Sequence, residues 1–251
     1  MPRVIAITCV RMGSERLPGK MLRAIVGRPL LGYLLDRMRM VRHIDGVTVA
    51  TSSRTENDAI EQLCRSEGVS CFRGSEEDVL GRVLGALEQE KADVGVIAYG
   101  DGPLIDPALM DQCLERFLAD PALDFVGNDV KEGFPSGMFA EAFSARALRD
   151  AAARTQDPLI REHATLFLRK NPALYRTVII EAEGALRRPE IHLDIDEEAD
   201  VRVITAIAEH FAPRQDFSLG EILAFLDAHP DLAEMNSAVH RRWKQYQQRS
   251  S

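Results

Sequence analysis

The chain has 251 residues, 45% of them hydrophobic and 28% charged, and its 31 Lys and Arg against 39 Asp and Glu give a formal net charge of −8. This composition is typical of a globular protein, and the length suffices for one sizeable core without help from disulfides or metals. An acidic chain lacks the dominant basic face that general DNA and RNA binders need, so we expect no nucleic-acid partner.

The first apolar run, residues 4–10, ends at Arg11 and is too short for a signal peptide or a membrane span. No later stretch approaches the length that a membrane helix needs. The cysteines are scattered and lack the spacing of a zinc site, which favours buried thiols in a reducing compartment. They are Cys9, Cys64, Cys71 and Cys113. We therefore expect a cytoplasmic protein with no membrane partner.

Short β-rich runs alternate with amphipathic helices through the first half of the chain. The predicted strands are residues 3–10, 46–51, 69–72, 93–99 and 123–127. Helix starts are predicted at Pro29, at Ser75 and at Asp106, which Pro107 follows. Because several strands are nearly continuous hydrophobic runs, we expect both faces of their sheet to be covered. The pattern predicts an α/β fold with a doubly wound, mostly parallel sheet.

The pattern loosens after residue 128, and we expect 129–190 to be an inserted β/α segment within one domain spanning 1–251. Its predicted parts are a turn-rich loop at 129–138, a strand near 139–143, helices near 144–154 and 158–170, and a strand near 174–181. Residues 191–195 are predicted as a returning strand and 197–211 as a helix. A C-terminal helical tail covers 216–251, and its Arg241, Arg242 and Lys244 beside Trp243 are predicted to be a solvated end.

The loop after the first predicted strand is unusually basic, because residues 1–28 hold six Lys and Arg against one acid. It is not a P-loop, since one residue too many separates Gly13 from Gly19, and the chain has no GxGxxG motif. Backbone amides near glycine, a hydroxyl and several cations together suit a polyphosphate. The candidate phosphate ligands are Arg11, Gly13, Ser14, Arg16 and Lys20. The alternative is a solvated connection with incidental charge.

Two acidic sites follow other predicted strands. Asp101 comes directly after strand 93–99 between two glycines, which leaves its carboxylate open to a ligand, whereas Asp106 fits a helix cap. Asp194 and Asp196 point to the same side if their segment is extended. Paired carboxylates suit a hard cation such as Mg²⁺ that also bridges to phosphates. The alternative is that Asp196 merely caps the helix at 197.

These motifs resemble those of a known family. The loop Arg11-Met12-Gly13-Ser14 with Arg16-Leu17-Pro18-Gly19-Lys20 is similar to the opening of the sugar cytidylyltransferases, the group of the acylneuraminate and 3-deoxy-octulosonate enzymes. The nearer likeness is to the spore-coat polysaccharide branch. Further matching segments are Ala50-Thr51-Ser52, Arg73-Gly74, Gly100-Asp101, Arg161-Glu162-His163 and Asp194-Ile195-Asp196. The likeness covers roughly residues 3–211, and the tail 229–243 also resembles that branch.

The resemblance implies a Rossmann-like fold and transfer of CMP from CTP to a sugar or sugar-acid acceptor, with release of pyrophosphate, for glycan or surface polysaccharide biosynthesis. An acceptor oxygen would attack the α-phosphorus in line, and the protein would supply position and charge. The resemblance implies a catalytic role for Arg11, Lys20 and Asp101, and metal binding by Asp101, Asp194 and Asp196. The implied acceptor-binding residues are Glu141, Glu162 and His163. The implied nucleotide-binding residues are Arg11, Gly13, Ser14, Arg16, Lys20, Thr51 and Arg73.

The resemblance also implies Mg²⁺ as cofactor, CTP as co-substrate, a small hydroxylated, acidic acceptor, and a homodimer. Segment 129–190 would then serve the acceptor site and dimerisation. The chain departs from the family pattern at Gly102, where the branch usually has Cys, and at Phe139, where an Asp is usual. The second change leaves the identity of the acceptor open. Two other functions remain: a metal-dependent glycosyltransferase, because Asp194-Ile195-Asp196 is formally a D-x-D motif, and a non-catalytic nucleotide- or sugar-binding relative.

Overall fold

Nine strands lie within residues 1–128 and 133–241, the part of the chain that the computed structural model describes. In chain order they are β1 (Val4–Cys9), β2 (Ala24–Ile25), β3 (Arg28–Pro29), β4 (Gly46–Ser52), β5 (Ser70–Gly74), β6 (Val94–Tyr99), β7 (Phe125–Gly127), β8 (Ala140–Ser144) and β9 (Thr177–Ile179). Strands β2 and β3 form a small antiparallel hairpin. The other seven form one sheet in the order β5-β4-β1-β6-β8-β7-β9.

The sheet is mostly parallel, as the sequence predicts. Strand β1 pairs in parallel with β4 and β6, β4 pairs in parallel with β5, and β7 with β9. Only β8 runs antiparallel, to both β6 and β7. Segment 129–190 therefore contributes β8 and β9 to the same sheet as the N-terminal strands.

The helices of the described residues are α1 (Leu30–Met38), α2 (Asp58–Ser66), α3 (Val79–Gln89), α4 (Pro107–Leu118), α5 (Ala145–Arg154), α6 (Pro158–Arg161), α7 (Leu166–Lys170), α8 (Glu198–Phe211), α9 (Leu219–Ala228) and α10 (Pro230–Met235). These helices cover both faces of the sheet. Successive side chains of β1 point to opposite faces, so they enter two different cores. Ala6 packs in a core with α1 and α4, whereas Ile5 and Ile7 pack in another with α3 and α5. None of the helices in 1–128 and 133–241 is long and apolar enough to cross a bilayer.

Two predicted helices differ in the structure. The start at Ser75 is wrong: α3 begins at Val79, and Asp78 caps it by accepting a hydrogen bond from the backbone N–H of Gly81 at 2.8 Å. Ser75 instead accepts from the backbone N–H of Asp78. The single helix at 158–170 is divided into α6 and α7. The start at Asp106 is confirmed, since its carboxylate accepts from the backbone N–H of Ala108 at 2.9 Å.

The predicted strand at 191–195 is wrong, and only an isolated parallel bridge joins His192 to Ser136. The backbone of this segment bonds to two loops instead of a strand. The N–H of Leu193 donates to the carbonyl of Ser136 at 3.0 Å, and the N–H of Ile195 donates to the carbonyl of Asp101 at 2.8 Å. The segment is thereby held against the loop that follows β6. The described part of the predicted tail folds as α9 and α10, and Arg242, Trp243 and Lys244 lie outside the described residues.

Candidate active site

A cleft of about 330 Å³ opens at the carboxyl ends of β1 and β6. Ligands commonly bind at this edge of open parallel sheets. We call it the basic cleft, and its lining residues are Cys9, Val10, Arg11, Gly13, Ser14, Glu15, Arg16, Lys20, Met21, Tyr99, Gly100, Asp101 and Asp196. The structure therefore brings together every predicted phosphate ligand of the first loop and two of the predicted metal carboxylates.

The first loop is held in place by a residue that sequence reasoning did not single out. Asn57 is fully buried, and its Oδ1 accepts a hydrogen bond from the backbone N–H of Met12 at 2.8 Å. Its Nδ2 donates to the Oγ of Ser52 at 2.7 Å. The carbonyl of Met12 accepts from the N–H of Gly19 at 3.0 Å, which closes the loop on itself. Nothing in the local sequence around Asn57 signals this long-range bond.

The cations of the loop are each held by an oxygen atom of the chain. Arg11 pairs with Glu76 at 2.8 Å, and Arg16 pairs with Asp196 at 2.7 Å. The Nζ of Lys20 donates to the carbonyl of Ile195. The three cations thus reach the walls of the basic cleft from one loop, while their partners come from later parts of the chain.

Asp101 and Asp196 face the basic cleft in a charged setting. Burial raises the pKa of Asp101 above its ordinary value, the positive charge of Lys20 opposes this rise, and the negative charge of Asp196 adds to it. Asp196 does not cap a helix, because Glu197 is the N-cap of α8. A cation bound between the two carboxylates would relieve their mutual repulsion.

Asp194 does not line the basic cleft, although it was predicted with Asp196 as a metal ligand. It is buried, accepts a hydrogen bond from the Oγ of Ser136, and pairs with Arg241 at 3.2 Å. Burial raises the pKa of Asp194 to about 6, even though Arg241 lowers it. Its carboxylate is already satisfied inside the protein, since it has both a hydroxyl donor and a guanidinium partner.

Two predicted nucleotide ligands, Thr51 and Arg73, do not line the basic cleft. Thr51 is fully buried in β4. Arg73 forms ion pairs with Glu61 at 2.7 Å and Asp58 at 2.6 Å. The hydrogen bond to Glu61, followed by the one to Asp58, raises the pKa of Arg73. Neither side chain lines the basic cleft or the cavity beside it.

That second cavity, which we call the side cavity, has a volume of about 440 Å³ and shares Cys9, Val10 and Arg11 with the basic cleft. Its other lining residues are Glu76, Glu77, Val79, Arg82, Pro158, Leu159, Glu162 and His163. Two of the three predicted acceptor residues, Glu162 and His163, therefore lie in a cavity that shares three lining residues with the basic cleft.

The third predicted acceptor residue does not reach the side cavity. Glu141 is fully buried on β8, where it accepts a hydrogen bond from the Oγ1 of Thr165 and lies 3.7 Å from Arg169. Phe139, the departure from the family pattern, packs against the core that contains Met138 and Leu193. Neither residue lines the two cavities.

The donor set of the basic cleft fits Mg²⁺. The described residues contain no group of three or more His, Cys, Asp or Glu side chains that could hold a metal by themselves. Mg²⁺ is usually bound by one or two carboxylates, with phosphates and water completing its shell. Asp101 and Asp196 supply this number of carboxylates on the wall of the cleft.

Comparisons with known proteins identify the family. A family model described as cytidylyltransferase matches residues 5–230. The chain belongs to the cytidylyltransferase family. It is accordingly a CTP-dependent nucleotidyltransferase, and the resemblance read from its motifs is confirmed. This membership favours nucleotidyl transfer over the glycosyltransferase alternative.

Three relatives illustrate how far the likeness extends. The spore coat polysaccharide biosynthesis protein SpsF of Bacillus subtilis is 34% identical over 243 residues, which is 95% of this chain and 100% of that protein. The structure of a cytidylyltransferase from Leptospira borgpetersenii superposes with a TM-score of 0.88 at 27% identity, covering 96% of this chain and 100% of that one. The 3-deoxy-manno-octulosonate cytidylyltransferase of Trichlorobacter lovleyi is 34% identical over 123 residues, 48% of this chain and 47% of that protein.

In this cytidylyltransferase, the described end of the C-terminal tail contacts the first loop, and the prediction of a solvated end is wrong for Arg241. Arg241 is buried, and the carbonyl of His240 accepts a hydrogen bond from Arg16 at 2.6 Å. Asn236, also buried, donates to Asp200 at 2.8 Å. Asn236 lies in the tail 229–243, which resembles the spore-coat branch, but no pattern in the sequence pairs Arg241 with distant carboxylates.

Proposed function

We propose that the acceptor of CMP is a small hydroxylated, acidic molecule of the sugar-acid class, which binds in the side cavity while CTP occupies the basic cleft. One observation carries the proposal: Cys9, Val10 and Arg11 line both cavities, so the two cavities lie side by side at the end of β1. A donor and an acceptor held in adjoining cavities can approach in line. The similarity to a polysaccharide biosynthesis protein and to a sugar-acid cytidylyltransferase supports this acceptor class.

In this proposal, the first loop binds the β- and γ-phosphates of CTP. Arg11, Arg16 and Lys20 lie on the cleft wall, where phosphate oxygens can replace the oxygens that these cations now contact. The backbone N–H groups near Gly13 and Ser14 add neutral donors. The acceptor hydroxyl forms a bond to the α-phosphorus as the bond from the α-phosphorus to the oxygen bridging the β-phosphate breaks, and the hydroxyl proton passes to water. The cations stabilise the charge that grows on the leaving pyrophosphate.

Asp101 and Asp196 are the residues that would hold Mg²⁺. When bound, the ion would neutralise phosphate charge and polarise the α-phosphate. Without a bound cation, the two carboxylates would repel phosphate oxygens, so the ion is needed for the triphosphate to lie beside them.

Polar side chains of the side cavity can orient an acidic acceptor. Arg82 offers a positive charge for a carboxylate, and Glu162 and His163 can accept or donate hydrogen bonds to hydroxyls. Leu159 and Val79 add an apolar wall against which a sugar ring can pack. Glu141 does not line this cavity, and it would act on it only indirectly, by accepting the hydrogen bond from Thr165, which follows His163 closely in the chain.

We also propose that the enzyme works as a homodimer in the cytoplasm. The dimer rests on the resemblance to dimeric sugar cytidylyltransferases. The cytoplasmic location rests on four cysteines that remain free thiols, as is typical of proteins in a reducing compartment.

A pyrophosphate-release screen tests the proposed function. Each ribonucleoside triphosphate is incubated with Mg²⁺ and a panel of neutral sugars and sugar acids, and the product is identified by mass spectrometry. We expect release only with CTP and a sugar acid, together with a CMP-linked product. Release with neutral sugars alone would overturn the acceptor class, and Mg²⁺-dependent CTP binding without release across the panel would support a non-catalytic relative.

A further inference from the structure

The C-terminal tail places an arginine among the carboxylates of segment 194–200. The side chain of Arg241 is 1% exposed. Its Nη1 lies 3.2 Å from the carboxylate of Asp194 and 3.8 Å from that of Asp196. Its Nη2 donates to Asp200 at 2.6 Å. A single guanidinium thus contacts all three aspartates of the segment.

Asp200 joins this arginine to the backbone that carries the proposed metal ligand. Its Oδ2 accepts hydrogen bonds from the backbone N–H groups of Asp196 at 2.8 Å and Glu197 at 2.7 Å. Asn236 of the tail donates to Asp200 at 2.8 Å and to the carbonyl of His192 at 3.0 Å. The backbone on both sides of Asp194 is therefore tied, through side chains, to the tail.

The tail also contacts the first loop, which lines the basic cleft. Arg16 pairs with Asp196 at 2.7 Å and donates to the carbonyl of His240 at 2.6 Å. The Asp196 carboxylate thus lies between two guanidinium groups, one from the first loop and one from the tail. These contacts are independent of those that Arg241 makes with Asp194 and Asp200.

We propose that Arg241 is a positioning residue for the metal site, acting through Asp194 and Asp200. It holds Asp194 as a buried anchor, so that of the two aspartates separated by Ile195 only Asp196 faces the cation. This inference rests on the proposed function, because it assumes that Asp101 and Asp196 bind the metal. It assigns different tasks to two carboxylates that the D-x-D spacing presents as equivalent.

The chemistry of arginine suits this task. Its planar guanidinium has several N–H donors in fixed directions, so it can bind two carboxylates at once while remaining charged. Burial would lower the pKa of Arg241, but the neighbouring Asp194 and Asp200 carboxylates raise it. Removing one partner of a buried ion pair leaves the other charge uncompensated. Loss of Arg241 would therefore leave the Asp194 and Asp200 carboxylates without their cation and disturb the position of Asp196.

The test measures binding of Mn²⁺ in the presence of CTP, using the electron paramagnetic resonance signal of free Mn²⁺. Arg241→Met removes the charge and the donors, and Arg241→Lys keeps the charge but loses the planar fork. Arg188→Met is the matched control, since Arg188 forms exposed ion pairs with Glu190 and Asp227 away from the cleft. Residues that orient metal ligands typically contribute 10–100-fold to metal affinity or activity.

We expect Mn²⁺ affinity to fall roughly 10- to 100-fold in Arg241→Met and by less in Arg241→Lys, with kcat reduced and the affinity for metal-free CTP unchanged. The Asp194→Asn and Arg241→Met effects should be less than additive, because both act through one contact. If Arg241→Met does not fold, the Arg241→Lys measurement decides.

A Mn²⁺ affinity of Arg241→Met equal to that of Arg188→Met would overturn the inference, since Arg241 would then only stabilise the fold. A higher Mn²⁺ affinity of Arg241→Met would also overturn it, since Arg241 would then compete with the cation. If the unmodified protein itself binds no Mn²⁺ with CTP, the proposed metal site fails instead. The two failures are therefore distinguishable.

Discussion

Lys20 and Asp101 line the same cleft, and the positive charge of Lys20 opposes the rise that burial imposes on the pKa of Asp101. The two residues follow β1 and β6, which are adjacent and parallel, so their loops meet at one edge of the sheet. A cation and a carboxylate on the walls of one cleft can hold a triphosphate and its metal ion together. The site is thus a direct consequence of the strand order.

Asp101→Asn removes a proposed metal carboxylate with almost no change in volume. We expect turnover of CTP to fall by about 10²–10³, by analogy with loss of one charge-stabilising contact, and more Mg²⁺ to be needed for half-maximal rate. Pyrophosphate release measured against Mg²⁺ concentration checks this. Asp227→Asn, at an exposed ion pair, is the control. Equal Mg²⁺ profiles for the two variants would remove Asp101 from the metal site.

His163→Ala tests the side cavity. Because His163 lines this cavity but not the basic cleft, we expect roughly tenfold weaker acceptor binding and unchanged CTP affinity. The acceptor KM and the CTP dissociation constant are measured separately. His43→Ala is the control, since His43 is exposed and pairs with Glu115. A loss of CTP affinity with an unchanged acceptor KM would place His163 at the nucleotide instead.

Gly137 allows the loop before β8 to approach the backbone of Leu193 and Asp194 closely. It has a φ of +83°, and a Cβ there would lie 2.5 Å from the carbonyl carbon of Leu193. Gly184 has a φ of +56° but open space around its missing Cβ. Gly184→Ala should cost about 1–2 kcal/mol of unfolding free energy from the left-handed backbone alone. Gly137→Ala should reduce the free energy of unfolding by more, because its Cβ would also clash with Leu193. Urea unfolding of the two variants measures the difference. Equal losses would show that the close approach has no energetic consequence.

Local sequence patterns predicted the sheet and most of the basic cleft. The parallel strands, the cations of the first loop and Asp101 were found because each follows from a short run of residues and the edge at which it ends. The roles of Asn57 and Arg241 were not found, since each depends on a contact with a distant segment. The ion pair of Asp194 with Arg241 was missed for the same reason: spacing shows which side a carboxylate faces but not which partner it contacts.

The start of α9, in the tail that carries Arg241, gives a pH-dependent contribution to stability. Glu221 accepts hydrogen bonds from the backbone N–H of Ser218 at 2.8 Å and from Arg214 at 2.6 Å, and these lower its pKa to about 2. A depressed carboxyl pKa stabilises the folded state above the ordinary value of 4.5, and this stabilisation is lost as the pH falls towards 2.

Glu221→Gln should therefore reduce the free energy of unfolding at neutral pH, and the difference from the unmodified protein should shrink between about pH 4.5 and pH 2. Urea unfolding across this range measures the difference. A gap that stays constant with pH would show that the capping carboxylate contributes no charge-dependent stability.

Lys20 offers the most direct test of the proposed triphosphate site, because its proposed contact with CTP does not depend on which acceptor is used. Calorimetric titration of CTP in the presence of Ca²⁺ compares the unmodified protein with Lys20→Met and with Lys170→Met, an exposed lysine at the end of α7. We expect binding to weaken by about 10²-fold in Lys20→Met only, as for loss of a charged contact in a partly buried site. Unchanged CTP affinity in Lys20→Met would contradict the assignment of the basic cleft to the triphosphate.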